Sequence, residues 1–285
     1  MIGAGVATLQ DVTIAQALDA SNPGLSGTTT GSLTLTVQAA TRLFDPAYTG
    51  ALNQQAVAVL KAKFSRWNYA QICAVGDSLT YGASAGVVTD PDQCIGWRKI
   101  INDAIIASRG ASVPVEWVGF QNTGFATDVM IRHHNGVGGR LTTGVTANVA
   151  TELGPSIREP HIVIYNIGTN DARSSKAEAT FTTDYVASYN AIRARLPSDR
   201  RMVLGYVAED PLEGAFNAFI TSYNATLAAT WAGLAGNKHL ATAVPGLVSG
   251  DMNAGDAPHP GVAGYAKIAA QLTPRVLDAL TALGL

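Results

Sequence analysis

Charged residues are scarce in this chain, which contains neither a block of basic residues nor a long apolar run. Of its 285 residues, 14% are charged and 47% are hydrophobic, and the formal net charge is −2. Phosphate groups are bound by clustered Lys and Arg, so the composition argues against a nucleic-acid partner or an anionic membrane surface. No apolar run reaches the roughly 18 residues that a membrane-spanning helix needs. The composition therefore predicts a globular protein with a sizeable core.

Cysteine is also rare, with two residues in the whole chain. Cys73 lies in an apolar run and Cys94 in a predicted loop about twenty residues later. Two cysteines in a chain of this length form no disulfide framework, so we expect unpaired thiols, with a single disulfide as the alternative. The first apolar stretch has no preceding Lys or Arg and therefore does not resemble a signal peptide. The sequence leaves the compartment open, an extracellular or virion-associated location included.

The first 70 residues differ in texture from the remainder and are predicted to form an N-terminal extension. Residues 1–31 are rich in Gly, Thr, Ser and Ala and almost uncharged, a composition typical of poorly structured segments. Apolar residues then alternate over 33–37, which predicts a short strand, and recur every fourth position over 52–64, which predicts a helix. We expect this extension, 1–70, to be distinct from a main domain at 71–285.

From residue 71 onwards, short apolar segments alternate with helical ones. Strands are predicted at 71–76, 113–119, 160–168 and 201–207, and helices at 95–108, 181–196, 214–234 and in a last segment kinked at Pro274. Buried strands that alternate with helices indicate a parallel sheet covered on both faces, hence an α/β fold. Ligands of such sheets bind at the carboxyl ends of the strands, so the residues that come directly after each strand are the candidates for chemistry.

Ser78 follows the first predicted strand, within a GDSL motif at 76–79. A serine on such a turn is placed to act as a nucleophile, although it could equally cap the next helix. The motif lacks the second glycine of G-x-S-x-G, because Thr80 stands at that position. Ser78 is therefore a candidate nucleophile outside the α/β-hydrolase pattern.

His259 is the candidate base that a serine nucleophile requires near neutral pH. It stands between two prolines, three residues after Asp256 and just before the last predicted helix. A carboxylate at that spacing can turn back and accept from the imidazole Nδ1–H, which leaves Nε2 to take the serine proton. The alternative is an ordinary surface histidine.

Two further segments offer hydrogen-bond donors for the oxyanion that acyl transfer generates. Asn170 follows the predicted 160–168 strand, and its amide can donate into a crevice at the strand ends. The glycines at 136–139 allow backbone N–H groups to approach a ligand closely. The alternatives are a plain Asn-Asp turn for the first segment and a flexible surface loop for the second.

These segments together resemble the sequence blocks of the SGNH (GDSL-type) hydrolase family. The family's G-D-S-L block is matched at 76–79, N/H-x-G-x-x-G at 134–139, G-x-N-D at 168–171 and D-x-x-H-P at 256–260. All four occur in the family's order within residues 71–285, and the resemblance does not extend to 1–70.

The resemblance implies a three-layer α/β/α, flavodoxin-like domain and a serine esterase mechanism. Ser78 would be the nucleophile, His259 the base and Asp256 the residue that orients the imidazole. The oxyanion would be held by the backbone N–H groups of Ser78 and Gly139 and by the side chain of Asn170. It implies neither a cofactor nor a metal, since the triad generates its own nucleophile.

A finer resemblance concerns the substrate. His134 and the segment VEWVG at 115–119 are similar to the carbohydrate-deacetylating members of the family. This implies short acyl groups, acetyl above all, on a carbohydrate or similar alcohol, with Asp77 and His134 expected to contact substrate. A generalist esterase that carries His134 without functional consequence is the alternative.

Three other kinds of site fit the sequence less well. His133 and His134 with Asp128 could bind a metal, but adjacent histidines seldom both reach one ion. Scattered aromatic residues could form a carbohydrate-binding surface but are more typical of a core; these are Trp67, Tyr81, Trp97 and Trp117. No glycine motif of the phosphate-binding type follows a strand.

The sequence thus predicts an esterase that acts on a small-molecule or carbohydrate ester. An acyltransferase on the same scaffold shares the first half-reaction and stays an alternative. A non-catalytic, virion-attached carbohydrate-binding module, with residues 1–70 as its docking element, is a second alternative. The sequence does not indicate an oligomeric state.

Overall fold

A mostly parallel sheet runs through the protein, with helices on both of its faces. The computed structural model describes residues 70–82, 96–109, 115–122, 133–153, 159–253 and 259–285. The strands are β1 (Ala70–Gly76), β2 (Val115–Val118), β3 (Gln121–Asn122), β4 (His133–Gly136), β5 (Ile162–Asn166), β6 (Arg201–Leu204) and β7 (Lys238–Leu240). The α-helices are α1 (Ser78–Tyr81), α2 (Gly96–Arg109), α3 (Thr142–Glu152), α4 (Thr169–Arg173), α5 (Glu178–Arg193), α6 (Gly214–Gly233) and α7 (Val262–Ala282).

Strand β1 lies in the middle of this sheet. The strand order is β3-β4-β1-β5-β6-β7, and β2 pairs with the first half of β1 on the β4 side. β1 pairs in parallel with β5 from Ile72↔Ile162 to Gly76↔Asn166. Its last two residues pair with β4, which places Gly76 opposite Gly136. Because these strands are parallel, the carboxyl ends of β1, β4 and β5 lie side by side at one edge of the sheet.

Alternation along the central strands divides the core into two layers. In β1, Ile72 and Ala74 face a layer that contains residues of α2 and α7. Cys73 and Val75 face the opposite layer, which contains residues of α3, α5 and α6. The residues of β1 are all buried, as expected for a strand covered on both faces. The predicted three-layer α/β class with a parallel central sheet is confirmed.

Helix α7 closes one of these layers against α2. Its buried residues are spaced by three and four positions and include Ile268, Leu272 and Val276. At the end of α2, Arg109 Nη2 donates to the carbonyl oxygen of Leu277 at 3.2 Å and to Thr281 Oγ1 at 2.8 Å. Pro274 lies inside α7, which continues to Ala282.

The predictions for the N-terminal extension, the two cysteines and membrane-spanning helices can be compared with the structure only in part. The strand at 33–37, the helix at 52–64 and all but the last residue of the 1–70 extension lie outside the described residues, as does Cys94. Cys73 is a buried free thiol, and burial raises its pKa above the ordinary value. None of the helices in the described part of the chain combines the length and apolar character that a bilayer crossing requires.

The segment 134–139, predicted as a loop, begins as a strand instead. Residues His133–Gly136 form β4, and the loop starts at Val137. The reason is pairing on both sides: β4 bonds with β1 through Asn135 and Gly136 and with antiparallel β3 through Gln121↔His134. Polar residues here occupy a short strand that periodicity alone does not identify.

Candidate active site

Ser78 stands at the turn that joins β1 to the short helix α1. Asp77 caps this helix, and its Oδ1 accepts a hydrogen bond from Leu79 N at 3.0 Å. Gly82 ends the helix and donates from its backbone N–H to the carbonyl oxygen of Ser78 at 3.0 Å. Ser78 itself is 8% exposed. The hydroxyl thus belongs to a turn that hydrogen bonds hold at both ends, at the carboxyl edge of the central strand.

The glycine loop after β4 approaches this turn from one side. Val137 N donates to the carbonyl oxygen of Gly76 at 3.2 Å, which joins the loop to the end of β1. Gly139 has a φ of 70°, and a side chain built there would meet nothing within 4 Å. The glycine is therefore required by the left-handed backbone and not by packing. This conformation sets the direction of the Gly139 peptide.

Asn170 approaches from the other side, on helix α4 after β5. Its Nδ2 donates to the carbonyl oxygen of Arg140 at 3.2 Å. The next residue, Asp171, is fully buried and accepts from the backbone N and the hydroxyl of Thr142, at 3.0 and 2.8 Å. Lys176 also forms an ion pair with Asp171. Helix α4 is therefore tied both to the glycine loop and to the first turn of α3.

A buried ion pair fixes the base of the glycine loop. Arg140 Nη2 pairs with Glu152 on α3, and both side chains are almost fully buried. Arg140 Nη1 donates to the carbonyl oxygen of Asn135 at 2.9 Å, and Asn135 Nδ2 donates to the carbonyl oxygen of Glu152 at 3.2 Å. Moving the loop would separate Arg140 from Glu152 and leave a buried charge without its partner, which is costly. The contacts among Arg140, Glu152 and Asn135 therefore hold the loop in one position.

His259 lies on the segment that leads into α7. Its carbonyl oxygen accepts from Asn253 N at 3.0 Å, and the next residue, Pro260, forms an isolated bridge with Met252. Asp251 braces the same segment, because its carbonyl oxygen accepts from Gly261 N at 2.7 Å and its Oδ2 accepts from Lys267 Nζ at 2.7 Å. Asp256, the predicted partner of His259, lies outside the described residues.

One cavity of about 280 Å³ brings these segments together. Its lining consists of Ser78, Tyr81, Gly138, Gly139, Asn170, Arg173 and His259. Four residues that the sequence predicts to act together therefore share one cavity, although they come from four distant segments. Gly138 and Gly139 also border a second cavity of about 450 Å³ that extends along α3 as far as Asn148 and Glu152.

His134 is not among the described residues that line this cavity, and its contact with substrate stays a prediction. It is fully buried, and its Nδ1 accepts from Gly136 N at 3.0 Å. Burial, with a smaller contribution from nearby Arg98, lowers the pKa of His134 to about 2. Tyr81 packs edge-on against the imidazole at 5.4 Å between centroids. A neutral His134 therefore supports the floor of the site from below.

Asp77 is likewise buried. Burial raises the pKa of its carboxyl to about 6, the Leu79 N–H opposes the shift, and the nearby carboxylate of Asp171 adds to it. Its helix-capping bond gives Asp77 a structural function at the nucleophile turn. The contact of Asp77 with substrate stays a prediction beside that function.

The other kinds of site that the sequence allows receive little support from the structure. Within the described ranges, no three His, Cys, Asp or Glu side chains are placed to hold a metal ion, and Asp128 lies outside these ranges. Trp97 and Trp117 are fully buried and pack edge to face at 6.5 Å between ring centroids, so they belong to the core. Trp67 lies outside the described residues. Tyr81 contributes a single aromatic ring to the described lining of the cavity.

Two residues of the cavity lie outside the sequence motifs: Arg173 was not predicted, and Tyr81 was named only among the scattered aromatic residues of a possible carbohydrate-binding surface. Tyr81 follows Ser78 by three positions, and Arg173 follows Asn170 by three, so each lies one helical turn beyond a residue of the motifs. That spacing is the pattern from which they could have been found. Arg173 pairs with Glu213 and, at 3.9 Å, with Asp210.

Comparisons with known proteins found one matching family model and several solved structures with a similar fold. Residues 74–267 match the model of the GDSL-like lipase/acylhydrolase family. A carbohydrate esterase of family 3 from Talaromyces cellulolyticus has a similar structure, with a TM-score of 0.60, 18% identity and coverage of 74% of this chain and 98% of that one. The family 3 carbohydrate esterase of Clostridium thermocellum is similar with a TM-score of 0.59 and 20% identity, and the match covers 75% of this chain and 98% of that one. A serine-to-alanine mutant of an acetyl esterase, solved with acetate ion, is similar with a TM-score of 0.59 and 18% identity, and the match covers 74% of this chain and 98% of that one. No curated protein matches the sequence significantly.

Proposed function

The chain belongs to the GDSL-like lipase/acylhydrolase family, and on that basis we propose that it is a serine esterase that removes short acyl groups, acetyl above all, from carbohydrates. Family membership makes it an ester hydrolase in general terms. The observation that carries the finer proposal is the shared cavity of Ser78, Gly139, Asn170 and His259. This is the set of groups that acyl transfer needs: a nucleophile, a base and oxyanion donors.

The proposed reaction has two halves. Ser78 Oγ attacks the ester carbonyl carbon while His259 takes its proton, and Asp256 orients the imidazole. The tetrahedral oxyanion is held by the N–H groups of Ser78 and Gly139 and by Asn170 Nδ2. The intermediate collapses, the C–O bond to the alcohol breaks, and His259 returns the proton to the leaving alcohol. Water, deprotonated by His259, then releases the acid and restores Ser78.

The size of the cavity supports a short acyl group. At about 280 Å³ it falls at the lower end of small-molecule sites, which range over roughly 300–1,000 Å³. The acyl chain and the alcohol share this space with the reacting atoms. A long acyl chain would leave its methylenes in water and gain little from burial.

Two observations support a carbohydrate as the alcohol. The second cavity, which shares Gly138 and Gly139 with the first, gives room for a substrate longer than one sugar. The solved structures that resemble this fold include two family 3 carbohydrate esterases and an acetyl esterase. At 18–20% identity this likeness concerns the fold, so the substrate class is tested directly.

The nucleophile is tested by the Ser78→Ala variant. We expect loss of hydrolysis with an unchanged unfolding midpoint, and labelling of Ser78 alone when the wild type reacts with an aryl phosphonate, read by peptide mass spectrometry. Ser222→Ala is the control, because Ser222 is a partly exposed serine on α6 whose hydroxyl donates to Glu178. Full activity in Ser78→Ala, or label on another serine, would refute the assignment.

The acyl preference is tested with a series of para-nitrophenyl esters. We expect kcat/KM to fall steeply beyond about four carbons, because a small preformed cavity excludes added methylenes. Acetate release from acetylated xylan and acetylated chitin fragments, measured with the alcohol product, tests the carbohydrate and separates hydrolysis from transfer. A preference for acyl chains of about eight carbons would contradict the proposal.

A further inference from the structure

Among the described residues that line the catalytic cavity, Arg173 carries a permanent charge, and the proposed reaction gives it no function. It lies three residues after Asn170 on α4, hence on the same face of that helix. Its side chain is 31% exposed, so the guanidinium is accessible to solvent while it stays against the protein. Because Arg173 and Ser78 line the same cavity, a substrate whose ester bond lies at Ser78 has this cation within the same space.

The guanidinium is held from three directions. Glu213 accepts from both Nη1 and Nη2, the latter at 3.3 Å from Oε1. Asp210 Oδ2 lies 3.9 Å from Nη1, and the ring centroid of Phe216 lies 5.2 Å from Cζ. A bidentate arginine–carboxylate pair of this kind fixes the plane of the guanidinium. Arg173 is therefore arranged before any ligand arrives.

Asp210 is itself fixed and contributes to the balance of charge. It is buried, and its Oδ1 accepts from the backbone N of Leu212 at 3.0 Å and of Glu213 at 3.3 Å. One positive charge thus lies between two carboxylates. A negatively charged ligand gains little from this arrangement, since Glu213 and Asp210 repel it while Arg173 attracts it.

A hydroxyl group fits the same arrangement well. Arginine carries five N–H donors, of which Glu213 takes two among the described residues. Glu213 is partly exposed and has acceptor capacity left. A hydroxyl can accept from Arg173 and donate to Glu213, so neighbouring hydroxyls on one ring can use both partners.

We propose that Arg173 and Glu213 form the binding subsite for the alcohol part of the ester and select neutral, hydroxyl-bearing alcohols over anionic ones. This inference rests on the proposed esterase function and adds the charge class of its substrate. The Arg173–Glu213 pair supplies both donors and acceptors and is neutral overall, and the nearby carboxylate of Asp210 makes the surroundings net negative.

Charge selection is tested with two substrates of matched size, para-acetoxybenzoate and para-acetoxybenzamide. The wild type should prefer the neutral amide. The Glu213→Gln variant removes one negative charge beside Arg173, and the kcat/KM ratio of benzoate to benzamide should rise about three- to tenfold. Asp278→Asn is the matched control, because Asp278 pairs with Arg275 on the exposed side of α7 at 3.0 Å. Its ratio should equal that of the wild type.

Hydroxyl recognition is tested with monoacetylated methyl glucoside and cyclohexylmethyl acetate, which share a six-membered ring. Arg173→Met should lower kcat/KM for the glucoside about tenfold or more relative to the cyclohexyl ester, mainly through KM. Arg275→Met is the control. Arg173→Lys keeps the charge for Asp210 and should retain part of the preference, which excludes a folding defect as the cause.

The outcomes separate the two proposals. If Ser78-dependent hydrolysis is present but both ratios stay at the control values in Glu213→Gln and Arg173→Met, the subsite is refuted and the esterase stands. A structural role alone would lower both substrates of each pair equally and leave the ratios unchanged, which also refutes the subsite. If Ser78→Ala keeps full activity, the esterase proposal itself fails.

Discussion

The carbonyl oxygen of Arg140 accepts a hydrogen bond from Asn170 Nδ2 at 3.2 Å. This bond joins the glycine loop after β4 to the helix after β5, across the end of β1. One N–H of the Asn170 amide is thereby occupied, which orients the other. The two proposed oxyanion donors outside the nucleophile turn, Gly139 and Asn170, are thus fixed relative to each other by the residue that follows Gly139.

Asn170→Ala should lower kcat by about 10²–10³, with a smaller change in KM, because an oxyanion donor acts mainly in the transition state. Steady-state kinetics on para-nitrophenyl acetate measure this. Asn190→Ala is the control, since Asn190 is an exposed asparagine on α5 that does not belong to the described lining of either cavity. An unchanged kcat would show that Asn170 serves only as a turn residue.

Glu152→Gln should destabilise the fold by about 3–5 kcal/mol, because it leaves the buried guanidinium of Arg140 without a countercharge. Urea unfolding at pH 7 gives the free energy of unfolding. The matched control is Asp103→Asn, which breaks the exposed Lys99–Asp103 pair on α2 and should cost less than about 1 kcal/mol. Equal losses in both variants would mean that water reaches the Arg140–Glu152 pair.

Asp77→Asn should change the free energy of unfolding more favourably at pH 8 than at pH 4, each time relative to the wild type. The pKa of Asp77 is raised from 3.8 to about 6 in the folded state, so folding favours the protonated form. The contribution of this group is fully present below pH 3.8 and is lost as the pH rises through about 6. The loss is up to about 3 kcal/mol for a shift of this size, and asparagine avoids it. Urea midpoints at the two pH values measure the difference, and equal differences in wild type and variant would contradict the prediction.

His134 should make the protein sensitive to acid. Its pKa is lowered from 6.5 to about 2 by burial. Between these two pH values His134 is therefore protonated in the unfolded chain and neutral in the folded protein. Stability from this group is present above pH 6.5 and is lost as the pH falls, by about 1.4 kcal/mol per unit. His134→Asn retains an acceptor for Gly136 N and should lose about 2 kcal/mol less than the wild type between pH 7 and pH 5. An equal change in stability for the two proteins over this interval would show that His134 takes up its proton equally in the folded and unfolded states, which would contradict the prediction.

The main features of the fold and most of the candidate site could be predicted because they are local in the sequence. Ser78 and Asn170 each follow a strand, and the apolar strands themselves reveal the parallel sheet. The spacing of Arg173 from Asn170 is local in the sequence, but its pairing with Glu213 and its contact with Phe216 could not be predicted, because these residues approach it only after folding. The burial of His134 depends on β3, a strand of two residues that periodicity does not reveal.

Helix α7 has a consequence for the way the chain is made. Its apolar face covers Ile72 on β1 and Ile162 on β5, and it packs against α2, which leaves the ribosome more than 150 residues earlier. Until α7 has been synthesised, β5, β6 and β7 lack the described helix that packs on this face of them, and partly folded chains with exposed strands are prone to aggregate. We therefore expect a stop codon within α7 to yield an aggregation-prone product even though Ser78, Asn170 and His259 are all present.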